Sequence, residues 1–255
     1  MEQIISVNNQ KIKDTLKLKE SKTRNKEQLF IVEGFHLVLE AYHDGIIKTL
    51  FATSEGIEQL VDEIPNIDEV IEINQQVAQK LSDTVNSQKV FAVCYMKKAA
   101  VNYTENILLL DQIQDPGNIG TLIRSAASFD FQTVIASPNS VSFYNDKVLR
   151  STQGNFFHVN LINEYLIKAI NELKVEGYII VGTKLHGDDI KPLRKVKWDD
   201  NEKYALIIGN EAKGISPELL DLIDLNVMIE MEEHVESLNA GVAGSILMYA
   251  ISQAK

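Results

Sequence analysis

Short apolar runs alternate with amphipathic segments from Ile107 to the C-terminus, and this alternation restricts the chain to few folds. Each apolar run is short, partly β-branched and bounded by turn-forming residues, which is typical of buried strands. Strands that alternate with helices predict a mainly parallel sheet covered on both faces, that is, an α/β fold. The predicted strands are 107–112, 133–136, 156–160, 178–182 and 205–208, and the predicted helices are 118–129, 146–152, 164–175 and 237–252.

The first part of the chain mixes the same two patterns. It predicts a second, small α/β domain. Residues 98–106 have weak periodicity and are predicted to be a linker, so the predicted domains are 1–97 and 107–255. Within the first domain the predicted strands are 28–32, 47–52, 69–73 and 90–95, and the predicted helices are 6–21, one that begins near Phe35 and ends at Gly45, 55–63 and 74–81.

Two polar segments near the C-terminus are the strongest candidates for a ligand site. Gly209 to Gly214 follows the last predicted strand, and glycine at both ends lets backbone N–H groups approach a ligand closely. The second segment, Ser237 to Asn239, opens the last predicted helix, which contains Gly241 and Gly244 among other small residues. On their own, these glycines indicate tight packing within one subunit as strongly as they indicate a site or a subunit contact.

Several common catalytic motifs are absent from the sequence. There is no G-x-G-x-x-G, and the run from Gly182 to Gly187 has the spacing of a P-loop but is followed by Asp188 where a lysine is required. The five histidines show no metal-ligand spacing, so we expect no bound metal. The one cysteine, Cys94, stands in an apolar run and is expected to be a small core residue.

Composition and charge limit the possible partners. The polar N-terminus and the lack of an apolar run of about 18 residues predict a soluble, cytoplasmic protein with no membrane partner. The net charge of −11 argues against a protein that coats itself in nucleic acid, yet Lys11 to Lys26 contains seven basic and two acidic residues. A solvated helix face explains such a run taken alone, and phosphate contact becomes the better explanation beside other evidence for RNA. The predicted contacts are Lys17, Lys19, Lys22 and Arg24.

Three ordered motifs, each at a strand-to-helix junction, resemble those of one enzyme family. They are Asp115 to Gly120 with Arg124, Gly209-Asn210-Glu211-x-x-Gly214, and Ser237-Leu238-Asn239. Together they resemble the SpoU (TrmH-like) RNA 2′-O-ribose methyltransferases of the SPOUT class. The resemblance implies a trefoil-knotted C-terminal domain, S-adenosylmethionine as methyl donor and a homodimer built on that domain. The segment from Arg24 to Gly34 resembles the substrate-binding domain, similar in fold to ribosomal protein L30e, that precedes the catalytic domain in many of these enzymes.

The resemblance also implies roles for individual residues. Arg124 matches the residue placed at the ribose 2′-hydroxyl, and because guanidinium is a poor base we expect it to hold the adjacent phosphate and stabilise developing negative charge. The other catalytic candidates are Asn118, Glu211, Ser237 and Asn239. The implied donor pocket consists of Thr183, Lys184, Leu185, Gly209, Asn210, Gly214, Ile229, Met231, Ser237 and Leu238. Lys147 and Arg150 are implied to approach the RNA. From residue type alone, an ordinary exposed helix arginine is the default interpretation of Arg124, and a helix cap is the alternative interpretation of Asn118.

One position departs from the family pattern. Ile229-Glu230-Met231 stands where the family has Ile-Pro-Met, so we expect a pocket of similar shape with a looser loop. The predicted function is S-adenosylmethionine-dependent 2′-O-methylation of structured RNA, and the first domain favours 23S ribosomal RNA. Methylation of transfer RNA and a non-catalytic role in RNA binding or ribosome assembly are the alternatives.

Overall fold

The chain packs as two units. A computed structural model describes residues 1–65, 67, 69–84, 87–183, 189–232, 234 and 237–253. Unit 1 comprises Met1–Lys98 with Tyr144–Phe157, and unit 2 comprises Ala99–Phe143 with His158–Lys255. Residues 144–157 therefore pack with the first unit, although the predicted boundaries place them in the second domain.

Unit 1 is built on a mixed five-stranded sheet. In chain order its first elements are β1 (Glu2–Ile4), α1 (Gln10–Lys17), α2 (Ser21–Glu27), β2 (Leu29–Glu33), α3 (Phe35–His43), β3 (Ile47–Ala52), α4 (Ser54–Leu60), β4 (Val70–Ile73), α5 (Gln75–Leu81) and β5 (Val90–Tyr95). The strand order is β1-β4-β3-β5-β2, and β5 runs antiparallel to both neighbours. One core cluster of this unit includes Ile12, Phe51, Ile71, Val77 and Phe91. Cys94 is buried in β5, which confirms it as a core residue, and this burial raises the pKa of its thiol.

The single helix predicted over 6–21 is wrong, because α1 covers only Gln10–Lys17 and a second helix, α2, begins at Ser21. The guanidinium of Arg24 holds the segment between these helices with three hydrogen bonds. Its Nη1 donates to the carbonyl oxygens of Leu18 and Lys19 at 3.1 and 2.6 Å, and its Nη2 donates to Ser21 Oγ at 2.8 Å. These bonds satisfy carbonyls that the end of α1 leaves without helical partners.

Unit 2 is built on a parallel sheet. From Ala99 onward the elements are β6 (Ile107–Leu110), α6 (Pro116–Ser128), β7 (Thr133–Ala136), α7 (Asp146–Ser151, part of unit 1), β8 (Asn160–Asn163), α8 (Leu166–Val175), β9 (Tyr178–Thr183), β10 (Ile190–Pro192), β11 (Lys203–Ile208), α9 (Pro217–Leu220), β12 (Leu225–Met228) and α10 (Ala240–Ser252). The described strands pair in parallel in the order β10-β12-β9-β11-β6-β7-β8. This confirms the predicted α/β fold, and the trefoil knot stays a prediction.

The strand predicted over 156–160 is also wrong. Residues Asn155–His158 form a 3₁₀ helix, and β8 begins only at Asn160. The ring of Phe156 lies 5.6 Å from that of Phe30 and 5.5 Å from that of Tyr144, centroid to centroid. Phe156 is thus held by an aromatic cluster of unit 1 and does not pair in the sheet of unit 2.

Helices cover both faces of the parallel sheet. Leu109, Ile135 and Ile207 pack against Ile170 and Leu173 of α8 on one face. Helices α6 and α10 pack against each other, and α10 also contacts β11. No helix in the described part of the chain is both long and apolar enough to cross a membrane.

Candidate active site at the carboxyl edge of the parallel sheet

A cavity of about 720 Å³ lies in unit 2 beside the last residue of β9, Thr183, and the loops that follow β11 and β12. This is the edge where parallel sheets place ligands. Eight of the predicted donor-pocket residues line it: Thr183, Gly209, Asn210, Gly214, Ile229, Met231, Ser237 and Leu238. The other two, Lys184 and Leu185, lie outside the described residues. Glu211 and Asn239 line the same cavity.

The loop after β11 folds back on Gly209. Asn210 and Gly214 exchange backbone hydrogen bonds of 3.0 and 2.8 Å, and Asn210 Oδ1 accepts from two further backbone N–H groups of the loop. A Cβ atom on Gly209 would lie 2.3 Å from the backbone of Gly214, so only glycine fits there. Asn210 Nδ2 donates to the carbonyl of Gln112 at 2.8 Å, which ties this loop to the one after β6.

Three side chains from distant parts of the sequence form a chain of hydrogen bonds at the cavity. Asn118 Nδ2 donates to Glu211 Oε1 at 2.9 Å, and Asn239 Nδ2 donates to Asn118 Oδ1 at 2.8 Å. Asn118 is buried and lies in the first turn of α6, whose N-cap is Asp115. Asn239 is the N-cap of α10, because its Oδ1 accepts from Val242 N. The starts of the two helices and the loop after β11 are thus joined by one polar network.

Glu211 is held as a carboxylate in this network. Burial alone would raise its pKa, but the hydrogen bonds from the Asn118 amide and from the backbone N–H groups of Asp115 and Gln114 outweigh burial and lower the pKa below its ordinary value. A carboxyl with a lowered pKa is ionised at neutral pH. The cavity lining therefore contains a fixed carboxylate at Glu211, together with the amino group of Lys213.

Arg124 lies apart from the cavity. It is exposed on α6, and it is not among the residues that line the cavity. In the residues that the structure describes, no carboxylate forms an ion pair with its guanidinium. The charge is thus available to a ligand that approaches from outside this unit.

The glycines of α10 pack against α6 of the same chain. A Cβ atom on Gly244 would lie 2.3 Å from Leu122 Cδ2, and one on Gly241 would lie 3.1 Å from Thr121 Cβ. Of the two interpretations of these glycines, tight packing within one subunit is the one observed. The opposite face of α10 exposes apolar side chains: Val242, Ile246 and Tyr249.

Residues 105–249 match the model of the SpoU rRNA Methylase family, and residues 9–92 match the MRM3-like substrate binding domain. The chain belongs to the SpoU rRNA methylase family. The predicted resemblance and the predicted enzyme class, an RNA methyltransferase, are thereby confirmed.

Individual relatives agree with the family match. The 23S rRNA (guanosine(2553)-2′-O)-methyltransferase RlmP of Bacillus subtilis is 35% identical over 250 residues, which is 98% of each chain. A putative TrmH-family RNA methyltransferase structure from Porphyromonas gingivalis superposes with a TM-score of 0.87 at 28% identity, over 99% of this chain and 100% of that one. An AdoMet-bound rRNA methyltransferase structure from Sinorhizobium meliloti shares the fold, with a TM-score of 0.89 at 24% identity over 99% and 97% of the two chains.

The predicted RNA-contacting residues of unit 1 differ in availability. Arg24 is only 5% exposed and its guanidinium bonds the chain internally, so its assignment to an exposed phosphate surface is corrected. The ammonium groups of Lys17 and Lys19 pair with Asp14 and Asp83, whereas Lys22 is simply exposed.

The two basic residues of α7 also differ in their availability to RNA. Lys147 is exposed, and Arg150 forms a 3.1 Å ion pair with Asp146 one turn before it. Surface pairs of this kind are weak enough to exchange for phosphate.

Sequence reasoning missed the polar residues directly after β6. The buried carboxylate of Asp111 accepts from Ser216 N at 2.7 Å, and Gln112 Nε2 donates to Ser216 Oγ at 2.9 Å. Gln112 has a positive φ of 56°, which marks a constrained turn. The available indication was a polar pair at the end of an apolar run.

Among the described residues, no three His, Cys, Asp or Glu side chains are grouped as metal ligands would be.

Proposed function

We propose that this chain transfers the methyl group of S-adenosylmethionine to a ribose 2′-oxygen of 23S ribosomal RNA. The observation that carries the proposal is the cavity lined by Glu211 and Asn239 and joined through Asn118 to α6. The choice of ribosomal RNA rests on the full-length match to the Bacillus subtilis enzyme and on the match of residues 9–92 to a substrate-binding domain.

The cavity suits S-adenosylmethionine in size and chemistry. Its volume of about 720 Å³ falls within the range of roughly 300–1,000 Å³ that is usual for small-molecule sites. Apolar side chains such as Ile208, Ile229 and Leu238 would exclude water, while the folded-back loop after β11 offers backbone groups to a nucleoside. The donor supplies a methyl group on a positively charged sulfur, and the carboxylate of Glu211 favours that charge.

Arg124 acts on the acceptor. A guanidinium keeps its charge at all working pH values, so it holds the phosphate next to the reacting ribose and stabilises the negative charge that develops on the 2′-oxygen. The proton of the hydroxyl leaves to a phosphate oxygen or to water. Asn118 and Asn239 are positioning residues, because they act through Glu211 and the helix starts, and Ser237 lies at the cavity beside them.

The two predicted domains divide the work. Residues 1–97 bind RNA and residues 107–255 carry the reaction, joined by a linker at 98–106. Lys22 and Lys147 offer exposed charges to phosphates, and Lys17, Lys19 and Arg150 join them by exchanging their surface ion pairs. An enzyme with ribosomal RNA as substrate would work in the cytoplasm.

The working unit is a homodimer formed by unit 2. The support is the apolar outer face of α10, where Val242, Ile246 and Tyr249 are 45%, 36% and 53% exposed. A second copy would cover this face on both sides of a two-fold axis. Since Arg124 stands outside the cavity of its own chain, the dimer would let it serve the donor held by the other subunit.

The test maps 2′-O-methyl groups in ribosomal and transfer RNA from cells with and without this protein. Loss of one 23S site, restored by the wild-type chain and not by Arg124→Ala, would support the proposal. If a transfer RNA site is lost instead, transfer RNA is the substrate. An unchanged methylation map would favour the non-catalytic alternative. Calorimetry should show that the wild-type chain and Arg124→Ala bind S-adenosylmethionine with micromolar affinity, about −8 kcal/mol, without added metal.

A further inference from the structure

A second basic segment, in unit 2, takes no part in the site described so far. Residues 191–197 contain Lys191, Arg194, Lys195 and Lys197 and no acidic residue, and all four basic side chains are exposed. We call this segment the basic turn. On a chain of net charge −11 it is an unusual concentration of positive charge.

The basic turn begins beside the cavity. β10 pairs in parallel with β12, so that Pro192 lies opposite Met228, and Met228 and Ile229 line the cavity. Arg194 Nε and Glu230 Oε1 form an ion pair at 2.8 Å. The segment is thus attached to the same stretch that forms one wall of the donor pocket.

Both ends of the basic turn are fixed. At its start β10 is part of the sheet, and in its middle Val196 N donates to the Leu193 carbonyl at 3.1 Å. At its end the ring of Trp198 meets that of Tyr204 edge-on, 5.1 Å between centroids and 87° between planes. A turn that is already ordered loses little entropy when it binds a ligand.

Within the described residues, three ammonium groups of the basic turn stand without a neutralising carboxylate. No ion pair with Lys191, Lys195 or Lys197 occurs in the described part of the chain. The acidic residues that follow, Asp199 and Asp200, accept hydrogen bonds from Asn201 instead.

We infer that the basic turn binds the phosphate backbone of the RNA next to the reacting nucleotide. The inference rests on the proposed function, since it requires an RNA acceptor at this cavity. Lysines act as point charges toward phosphate, so the contact would position the RNA without reading its sequence. The RNA would then contact the protein at the basic turn in addition to the basic residues of unit 1.

The test compares two charge-matched double variants with the wild-type chain. Lys195→Gln/Lys197→Gln removes two charges of the basic turn that have no ion-pair partner among the described residues. Lys168→Gln/Lys174→Gln removes two charges from α8 that are already paired with Glu164 and Asp224. Both double variants lower the net charge of the chain by two. A difference in RNA binding between them therefore depends on where the charges were removed.

Binding of a 23S ribosomal RNA transcript is measured over a range of salt concentrations. The basic-turn variant should bind about tenfold more weakly near 100 mM salt, and its slope of log affinity against log salt should be shallower by about 1.5, since each lost phosphate contact removes about 0.7–0.9. S-adenosylmethionine affinity should stay unchanged. The single tryptophan, Trp198, adjoins Lys197, so its fluorescence should respond to RNA in the wild-type chain.

The outcomes separate the two proposals. If the wild-type chain methylates the transcript and the basic-turn variant behaves like the α8 variant, the inference is overturned and the function stands. If the wild-type chain transfers no methyl group to any RNA, the proposed function fails and the inference fails with it.

Discussion

Asn239 Nδ2 donates a 2.8 Å hydrogen bond to Asn118 Oδ1, which joins the N-cap of α10 to the first turn of α6 across 121 positions of sequence. Asn118 uses its other amide atom on Glu211. The oxygen and the nitrogen of the buried Asn118 amide are thus both hydrogen-bonded. Because leaving a partner unpaired costs free energy, these bonds hold Glu211 and Asn239 in place relative to Asn118.

Asn118→Ala should therefore damage both stability and activity. We expect a loss of about 1–3 kcal/mol in the free energy of unfolding and a larger fall in methyl transfer than in donor affinity. Denaturant unfolding, calorimetry and methylation assays measure the three quantities. Asn102→Ala, which removes an amide bonded only near the surface of the same unit, is the control. Equal effects of the two variants on methyl transfer would contradict the role.

Glu211 should make stability depend on pH in the acid range. Its pKa in the folded chain lies below the ordinary value of 4.5, despite the opposing effect of burial. Its ionised form thus stabilises the fold at pH values above 4.5, and this contribution is lost as the pH falls through the lowered pKa. The difference in unfolding free energy between wild type and Glu211→Gln should be constant at neutral pH and shrink in acid. A difference independent of pH would refute this.

Gly244→Ala should destabilise the protein although alanine is the better helix former by about 1 kcal/mol. The new methyl group would meet the fully buried Leu122 at 2.3 Å, and overpacking of a core costs about 1–3 kcal/mol. Gly241→Ala, whose methyl group would lie 3.1 Å from Thr121, should cost less. Thermal unfolding of both variants gives the order, and the reverse order would show that Leu122 accommodates a methyl group more easily than Thr121 does.

Arg24 and Lys22 should behave differently although they are two positions apart. Arg24→Ala removes three buried or partly buried hydrogen bonds and should cost about 1–3 kcal/mol of stability. Lys22→Ala, at an exposed site, should change stability by less than about 0.5 kcal/mol and reduce the salt dependence of RNA binding. Unfolding curves and RNA titrations distinguish them. An Arg24→Ala variant with full stability and weakened RNA binding would restore the exposed-phosphate role.

Mixing two inactive variants should test the homodimer. Arg124→Ala lacks the acceptor residue, and Thr183→Trp should fill the donor cavity that Thr183 lines. If Arg124 serves the donor of the other subunit, random heterodimers would restore about a quarter of the sites. Sedimentation should give twice the chain mass of 28.6 kDa. If the protein is a dimer but mixing restores no activity, the homodimer stands and the role of Arg124 in the other subunit's site is refuted. A fully active monomer would refute both.

Local pattern alone determined the fold class and the positions of the candidate loops. Apolar runs of period two or 3.6 are patterns of neighbouring residues, and so is the pair of glycines at the two ends of the segment from Gly209 to Gly214. These features predicted an α/β fold with a parallel sheet, which is confirmed. The eight described donor-pocket candidates lie around one cavity, and their contact with S-adenosylmethionine stays a prediction.

Tertiary structure decided what depends on residues far apart in the sequence. Arg24 looks like any basic residue of its run, yet burial turns it into a brace between two helices. Phe156 has the pattern of a strand, but its contacts with Phe30 override that preference. The short strands β10 and β12 show no periodic pattern of their own in the sequence. They form because neighbouring strands supply their hydrogen bonds. Folding likewise unites Glu211, Asn118 and Asn239, because hydrogen bonds form at distances that only packing sets.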